Sequence, residues 1–318
     1  MKLLSKIIKQ FYYLALPPSE QLQVPHCLAQ AASSPVNHKL QVSNPERIIR
    51  DAKYAIDIAR SYVSEMPGGR TFLANKEFVE IGPGVNFGTA LVLLSWGASK
   101  ATVSDRFLSS FQADYHVPVY QKIMSMLRSE DPDADMSPFE EVISGGRHET
   151  TRLYCDKTPL ENLAEKRLEA FDITLSNAVF EHLYHPLKAL SSLRRVTRKG
   201  GMGFHQVDFR DHRDFSRPLE YLLLDELTFL EIMEEQHYKC GNRIRPDEME
   251  ALFRYVGFGE VEFFPNMWAR SEYLLDLVPR LRAARFSPYA DISVDRLQVI
   301  SGRFVVSNGM DAPVCSSG

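Results

Sequence analysis

The chain has 318 residues, of which 44% are hydrophobic and 25% are charged, a composition typical of a globular protein and unlike that of a disordered one. Its 37 basic and 41 acidic side chains give a net charge of -4, which argues against a nucleic-acid partner. The cysteines, Cys27, Cys155, Cys240 and Cys315, show neither metal-ligand nor disulfide-scaffold spacing, so we expect reduced thiols and a cytoplasmic location. No apolar run is long enough to predict a membrane span.

The first 43 residues are expected to precede the main domain. Residues 1–16 carry an apolar stripe at spacings of three and four, which is typical of an amphipathic helix, and residues 17–43 have the composition of a linker. We favour a helix that packs on the body of the protein, and a weak contact with a membrane surface is the alternative. Asn44 and Pro45 then begin a second helix, which Pro67 and two glycines end.

The stretch 77–105 predicts a strand, a glycine-rich turn, a helix and a second strand. The first strand covers residues 78–81, the helix covers 90–96, and the second strand runs into Asp105. The turn between them contains Gly82, Gly84 and Gly88. Glycines let the backbone approach a ligand closely, and an acid at the end of the second strand can accept hydrogen bonds from a ribose. This pattern therefore favours a nucleoside site.

The charge of Glu80, two residues before Gly82, helps to choose between nucleosides. A carboxylate there would repel the diphosphate of NAD and attract a cationic nucleoside such as S-adenosylmethionine. The dinucleotide pattern G-x-G-x-x-G also fails, because Phe87 stands where its third glycine is required. An NAD-dependent oxidoreductase is therefore disfavoured.

The segment VEIGPGVNFGT resembles the first motif of class I S-adenosylmethionine-dependent methyltransferases, whose pattern is acid-x-Gly-x-Gly-x-Gly. The resemblance implies a cofactor site made by Glu80, Gly82 and Gly84 in the motif and by Asp105 after the second strand. Asn86 replaces the third glycine of the family pattern, and since Asn tolerates left-handed backbone geometry we expect the site to be intact.

Later segments extend the resemblance over residues 75 to 207. A third strand ends at Asp156, which would contact the adenine amine, and a fourth runs into Asn177 at the mouth of the site. The resemblance implies an α/β, Rossmann-like, seven-stranded mixed sheet with the last strand antiparallel and helices on both faces. The methyltransferase domain would span 44–306, with a helical lid insertion at about 208–240 after strand 5, and residues 307–318 would form a disordered tail.

Candidate catalytic residues follow the predicted fifth strand, in a segment with two His, three Asp and two Arg between positions 205 and 214. A hydroxyl acceptor needs a base, and His205 or His212 suits that role better than His182, with Asp208 orienting an imidazole. A solvated network of ion pairs is the alternative interpretation.

A second polar cluster contains Asn242, Arg243 and Arg245, which with His182 are candidate substrate residues. The cluster resembles an Asn-Arg-x-Arg element of one subgroup of methyltransferases, which implies that Asn242, Arg243 and Arg245 hold a carboxylate, phosphate or sugar of the acceptor, whereas the alternative is that they cap a helix and brace loops. No metal is expected to be required, although the Asp and His cluster could bind one.

The expected function is transfer of a methyl group from S-adenosylmethionine to an oxygen or nitrogen of a small molecule, by in-line displacement. The alternative is a catalytically weak scaffold of the same fold that acts through its N-terminal helix, and Asn86 is its only support in the sequence. No oligomeric state is indicated.

Overall fold

The computed structural model describes residues 44–183, 185–235 and 242–309, without the side chains of 233–235. The predicted N-terminal helix and linker, and most of the predicted tail, therefore lie outside the described residues. The ordered chain continues past the expected boundary at 307, because Ser307 ends a strand and Asn308 is fully buried. Among the described residues, no helix has the length and apolarity needed to cross a membrane.

Seven strands alternate with helices along the chain. The strands are β1 (Glu77–Ile81), β2 (Lys100–Ser104), β3 (Leu153–Asp156), β4 (Phe171–Asn177), β5 (Thr197–Asp208), β6 (Glu260–Trp268) and β7 (Val299–Ser307). The α-helices are α1 (Pro45–Glu65), α2 (Gly88–Ser95), α3 (Ala113–Glu130), α4 (Ser137–Gly145), α5 (Leu160–Leu163), α6 (Pro186–Val196), α7 (Glu226–Glu235), α8 (Pro246–Tyr255), α9 (Ser271–Ala283) and α10 (Val294–Gln298).

The strands form one sheet with the order β3-β2-β1-β4-β5-β7-β6. The pairs from β3 through to β5 are all parallel, whereas β7 runs antiparallel to both β5 and β6. This topology confirms the predicted seven-stranded mixed sheet. In such a sheet, ligands bind beyond the carboxyl ends of the parallel strands.

The predicted elements of the nucleoside region are confirmed at nearly their expected positions. Helix α1 begins after Asn44, whose side-chain oxygen accepts hydrogen bonds from the backbone N–H groups of Glu46 and Arg47. Helices α3 and α4, between β2 and β3, were not predicted. Helices α1 to α4 share one apolar core on one face of the sheet, while α5, α6 and α8 share a second core on the other face.

The apolar and acidic pattern over residues 218–236 predicts one long helix in the insertion after β5, but the structure divides this segment. A 3-10 turn (Glu220–Leu223) and α7 are separated at Asp225, whose carboxylate accepts hydrogen bonds from the N–H and hydroxyl of Thr228 and so caps α7. The sequence of residues 268–285 predicts a surface helix, whereas helix α9 in this segment buries Leu274, Leu277 and Leu281. These side chains form a third apolar core with residues of the insertion.

The substrate residues predicted between 242 and 245 brace this insertion instead of facing an acceptor. The Arg243 guanidinium is buried, pairs with Glu226 at 2.6 Å and donates to the backbone carbonyl of Leu224 at 2.7 Å. Arg245 is fully buried, and its two terminal guanidinium nitrogens donate to backbone carbonyls, those of Phe209, Arg296, Leu297 and Val299. The prediction that both arginines bind the acceptor is therefore wrong.

We expect Arg245→Met to lower the free energy of unfolding by about 3 kcal/mol or more, because several buried carbonyl oxygens would lose their donor at ~1–3 kcal/mol each. Urea unfolding measures this loss. The matched variant Arg270→Met changes an exposed arginine and should stay within about 0.5 kcal/mol of the parent chain. Equal stability of the two variants would contradict the role given to Arg245.

Candidate functional site

The carboxyl ends of β1, β2 and β3 are joined by backbone hydrogen bonds that continue beyond the strands. The N–H of Gly82 donates to the carbonyl of Ser104 at 2.9 Å, and the N–H of Asp105 donates to the carbonyl of Asp156 at 3.2 Å. The three predicted cofactor positions Gly82, Asp105 and Asp156 therefore lie along one edge of the sheet.

The glycine turn after β1 has the backbone geometry that only glycine adopts without strain. Gly82 and Gly84 have φ of 67° and 75°. A Cβ on Gly82 would lie 2.5 Å from a methyl group of Val179, so this turn packs tightly against the turn after β4. A Cβ on Gly84 would meet nothing within 4 Å, which leaves that part of the turn open.

Asn86 fits the turn for a reason other than the one expected from the sequence. Its backbone is not left-handed; instead its side-chain oxygen accepts a hydrogen bond from the N–H of Gly88 at 3.0 Å, at the start of α2. Its side-chain amide lies 3.4 Å from the hydroxyl of Tyr115. Asn86 thus orders the turn where the family pattern has glycine.

Glu80 is buried on β1 with an unsatisfied oxygen. The residue is 4% exposed, and its Oε2 atom has no hydrogen-bond partner among the described residues. Burial raises the pKa of this carboxyl to about 8. The hydroxyls facing it, those of Tyr54 and Tyr62 on α1, have raised pKa values themselves, through burial and through the charge of Glu80. A cationic ligand would stabilise the ionised form of Glu80.

Asp105 and Asp156 are partly buried, and each uses only part of its hydrogen-bonding capacity. One oxygen of Asp105 accepts the N–H of Phe107 at 2.6 Å, and one oxygen of Asp156 accepts the N–H of Thr158 at 3.0 Å. The second oxygen of Asp156 lies 3.8 Å from the guanidinium of Arg167. Burial raises the pKa of Asp105, against the Phe107 hydrogen bond.

Beyond β4, Asn177 lies at the mouth of the site and contacts α1. Its side-chain amide donates to the hydroxyl of Tyr54 at 2.9 Å, so the first described helix contributes to this edge. The next residue, Ala178, has a φ of 55°, a conformation that costs free energy for a residue with a Cβ. Such strain is characteristic of functional turns, and it brings Val179 against Gly82.

His205, one of the predicted bases, is a core residue. Its side chain is fully buried between the rings of Phe180 and Phe253, and its two nitrogens lie 2.9 Å from the hydroxyl of Ser176 and 3.3 Å from that of Thr174. Burial lowers its pKa to about 3. The prediction of His205 as a catalytic base is therefore corrected, since it has neither access to an acceptor nor affinity for a proton near neutral pH.

The other candidates for acid and base, Asp208, His212 and His182, lie together after β4 and β5. His212 Nε2 lies 3.4 Å from Asp208 Oδ2, and the rings of His182 and His212 are 4.8 Å apart. Arg210 clamps Asp208 with two contacts of 2.6 and 2.8 Å. Although burial acts in the opposite direction, Arg210 and His212 hold the pKa of Asp208 well below its ordinary value.

Glu181 was not predicted and is the most unusual member of this group. It is 3% exposed, and neither of its carboxylate oxygens has a hydrogen-bond partner among the described residues. Burial, reinforced by the charge of Asp208, raises its pKa to about 8. Its position between Phe180 and His182 in a turn after a buried strand gave no sign of such burial in the sequence.

Asn242, the third residue of the predicted substrate cluster, holds this turn in place. Its side-chain amide donates to the carbonyl of Phe180 at 2.7 Å and lies 3.4 Å from that of Leu183. Its backbone N–H donates to the carbonyl of Glu181. Asn242 therefore positions Glu181 and His182, and its side chain does not face an acceptor.

A family model described as a methyltransferase domain matches residues 136–204. No curated protein sequence matches the chain. The fold is similar to phosphoethanolamine N-methyltransferase 2 of Haemonchus contortus in complex with S-adenosyl-L-methionine, at 15% identity and a TM-score of 0.43, over 81% of this chain and 53% of that one. This chain thus spans about half the length of that protein.

A second similar structure is an arsenic (III) S-adenosylmethionine methyltransferase from Chlamydomonas reinhardtii, at 13% identity and a TM-score of 0.38, over 78% of this chain and 71% of that one. Likenesses of this strength carry no argument about substrate. The matched family model and the strand order of the sheet are consistent with the resemblance of the sequence to class I S-adenosylmethionine-dependent methyltransferases.

Proposed function

We propose that the protein transfers a methyl group from S-adenosylmethionine to an oxygen or nitrogen of a small-molecule acceptor. The observation that carries the proposal is the unsatisfied, buried Glu80 carboxylate beside an open glycine turn. An amino-acid nucleoside with an ammonium and a sulfonium supplies the positive charge that this site lacks. A diphosphate would instead add negative charge next to Glu80.

The residues present fit such a cofactor. Gly82 and Gly84 would let the backbone approach its amino-acid part, near the carboxylate of Glu80. Asp105 would accept hydrogen bonds from the ribose, and Asp156 would accept one from the adenine amine. When bound, S-adenosylmethionine supplies a methyl group already activated by a positively charged sulfur.

The acceptor would lie between the glycine turn and the group formed by Glu181, His182, Asp208 and His212. The main contribution of the chain would be alignment, because an in-line displacement depends on holding the acceptor atom behind the methyl group. In the absence of a bound cation, His212 is the candidate base, with Asp208 beside it at 3.4 Å. An amine acceptor that binds uncharged needs no base before it attacks.

The alternative of a catalytically weak scaffold loses its support. It rested on Asn86, whose side chain in fact orders the start of α2 through Gly88. The helix over residues 1–16, through which such a scaffold would act, lies outside the described residues. The weak membrane contact of that helix and the cytoplasmic location stay predictions.

S-adenosylmethionine and S-adenosylhomocysteine should each raise the melting temperature of the full chain, measured by thermal shift at millimolar ligand. Asp105→Ala should abolish the shift, and Asp105→Asn should weaken it, because the ribose would lose its charged acceptor. Asp57→Asn, a change of a half-exposed acid on α1, is the matched control and should keep the shift. A parent chain that responds to neither nucleoside would refute the proposed function.

Binding of S-adenosylmethionine should release protons near neutral pH. Since the pKa of buried Glu80 is raised to about 8, the free protein carries a proton there that an adjacent ammonium would expel. Affinity should therefore increase from about pH 6 to about pH 7, by up to about tenfold. Calorimetry in buffers of different ionisation enthalpy measures the release.

The variant Glu80→Gln is the control for this coupling, because an amide has nearly the same shape and does not titrate. It should bind more weakly and release no proton. Proton release of the same size from Glu80→Gln would show that another group is responsible.

A further inference from the structure

The turn after β4 and the loop after β5 bring Glu181, His182 and His212 together. One ligand atom from each, a carboxylate oxygen and two imidazole nitrogens, lies within 4.8 Å of the other two. Three atoms so placed have a common point within about 2.8 Å of each, close to the ~2.0–2.2 Å at which such atoms bind zinc. Small rotations of the side chains would close the difference.

We propose that Glu181, His182 and His212 bind one divalent transition-metal ion. Imidazole nitrogens favour ions such as Zn²⁺, Co²⁺ and Fe²⁺ over Mg²⁺ and Ca²⁺, which prefer oxygen ligands. Two histidines and one carboxylate on one side of an ion leave coordination positions open on the other side. The proposal is independent of the proposed function, because the ion can be bound and measured without cofactor or acceptor.

The unsatisfied carboxylate of Glu181 is the independent observation that points to a ligand here. Its side chain is buried to more than nine tenths, and both oxygens lack a hydrogen-bond partner among the described residues. Apart from the charge of Arg210, only two backbone N–H groups among the described residues, its own and that of Asp208, stabilise the ionised form of this carboxyl against burial. Burying a carboxylate with so little compensation is costly, and native proteins compensate for it with a pair or a metal. A cation bound by both neighbouring imidazoles would supply the missing charge.

Among the described residues, Arg210 is the arginine whose charge acts on Glu181. Its guanidinium is clamped on Asp208 at 2.6 and 2.8 Å and stacks over the ring of Phe215. Asp208 itself adds negative charge that acts on Glu181. The net result is one buried and one partly buried carboxylate beside two imidazoles, with one guanidinium, which favours a further cation.

The ligands are also held in place before any ion arrives. Asn242 fixes the backbone on both sides of Glu181 and His182 through the carbonyls of Phe180 and Leu183. The ring of His212 lies between those of His182 and Phe215, at 4.8 and 5.3 Å. Preorganised ligands lose little conformational freedom on binding, which strengthens metal affinity.

A bound ion would change the chemistry proposed for this group. His212 would then be a ligand and not a base, because its lone pair would be occupied. An acceptor hydroxyl at an open coordination position would lose its proton more readily, since a divalent ion lowers the pKa of a bound oxygen. The ion would thus activate the acceptor in place of a base, while the protein would still align the acceptor atom with the methyl group.

The test uses the full chain stripped with a chelator and then titrated with Co²⁺ or Zn²⁺ alone. We expect one ion per chain, seen as visible absorption bands with Co²⁺ and as a saturable heat with Zn²⁺. Glu181→Gln and His212→Gln should each weaken binding by at least about tenfold. His185→Gln, a partly exposed histidine outside the group, is the matched control and should bind as the parent chain does.

Glu181→Gln removes a buried charge and keeps the shape of the side chain, so it is expected to fold, and far-ultraviolet circular dichroism checks this. Failure of the parent chain to bind an ion, or equal binding by the parent and the two ligand variants, would overturn the proposal. A thermal shift of the stripped protein with S-adenosylhomocysteine separates this result from the proposed function: a shift without metal binding would overturn the metal site alone.

Discussion

The structure depends on a close contact between two turns at the carboxyl edge of the sheet. Gly82 after β1 has no Cβ, and Val179 after β4 fills the space that a Cβ would need. The strained backbone of Ala178 aims Val179 at that space. Glu80 precedes Gly82 by two residues. Glu181 follows Val179 by two residues, and both acids are buried. The two carboxyls with unsatisfied oxygens thus flank one tight packing contact along the chain.

Burial of these carboxylates costs stability, and the proposed cofactor and metal sites would each make use of their negative charge. Glu80 and Glu181 each have a pKa raised to about 8, so near neutral pH both are held largely as neutral acids until a cation arrives. A protein tolerates a few buried carboxyls with unsatisfied oxygens when three apolar cores supply most of its stability. Perturbed carboxyls at the ligand-binding edge are what a binding site of this kind requires.

The nucleoside region could be predicted from sequence because its signals are local. Gly82, Gly84 and Asp105 follow buried strands directly, and the carboxyl ends of parallel strands meet at one edge whatever the rest of the chain does. The burial of His205 could also have been predicted, since it lies two residues before Val207 on β5 and therefore on the same buried face of the strand. The imidazole of His205 suggests a catalytic base, whereas its position in the strand predicts a core residue.

The acceptor side could not be predicted in the same way. Whether an arginine such as Arg243 meets a ligand or a backbone carbonyl depends on segments distant in sequence, here the 3-10 turn after β5 and its neighbour Leu224. The burial of Glu181 likewise depends on Asn242, which is separated from it by the whole insertion. No local pattern records such contacts. The resemblance to the family motifs covers residues 75 to 207, and it gives no information about the contacts made by the insertion after β5.

Arg245 joins the insertion to the sheet through backbone contacts, and this affects which positions of the chain can vary in sequence. Its guanidinium recognises the course of the main chain between 296 and 299 and not the side chains there. Replacements along that segment should therefore be tolerated as long as the backbone keeps its path. Relatives could vary this segment widely in sequence while retaining the same framework.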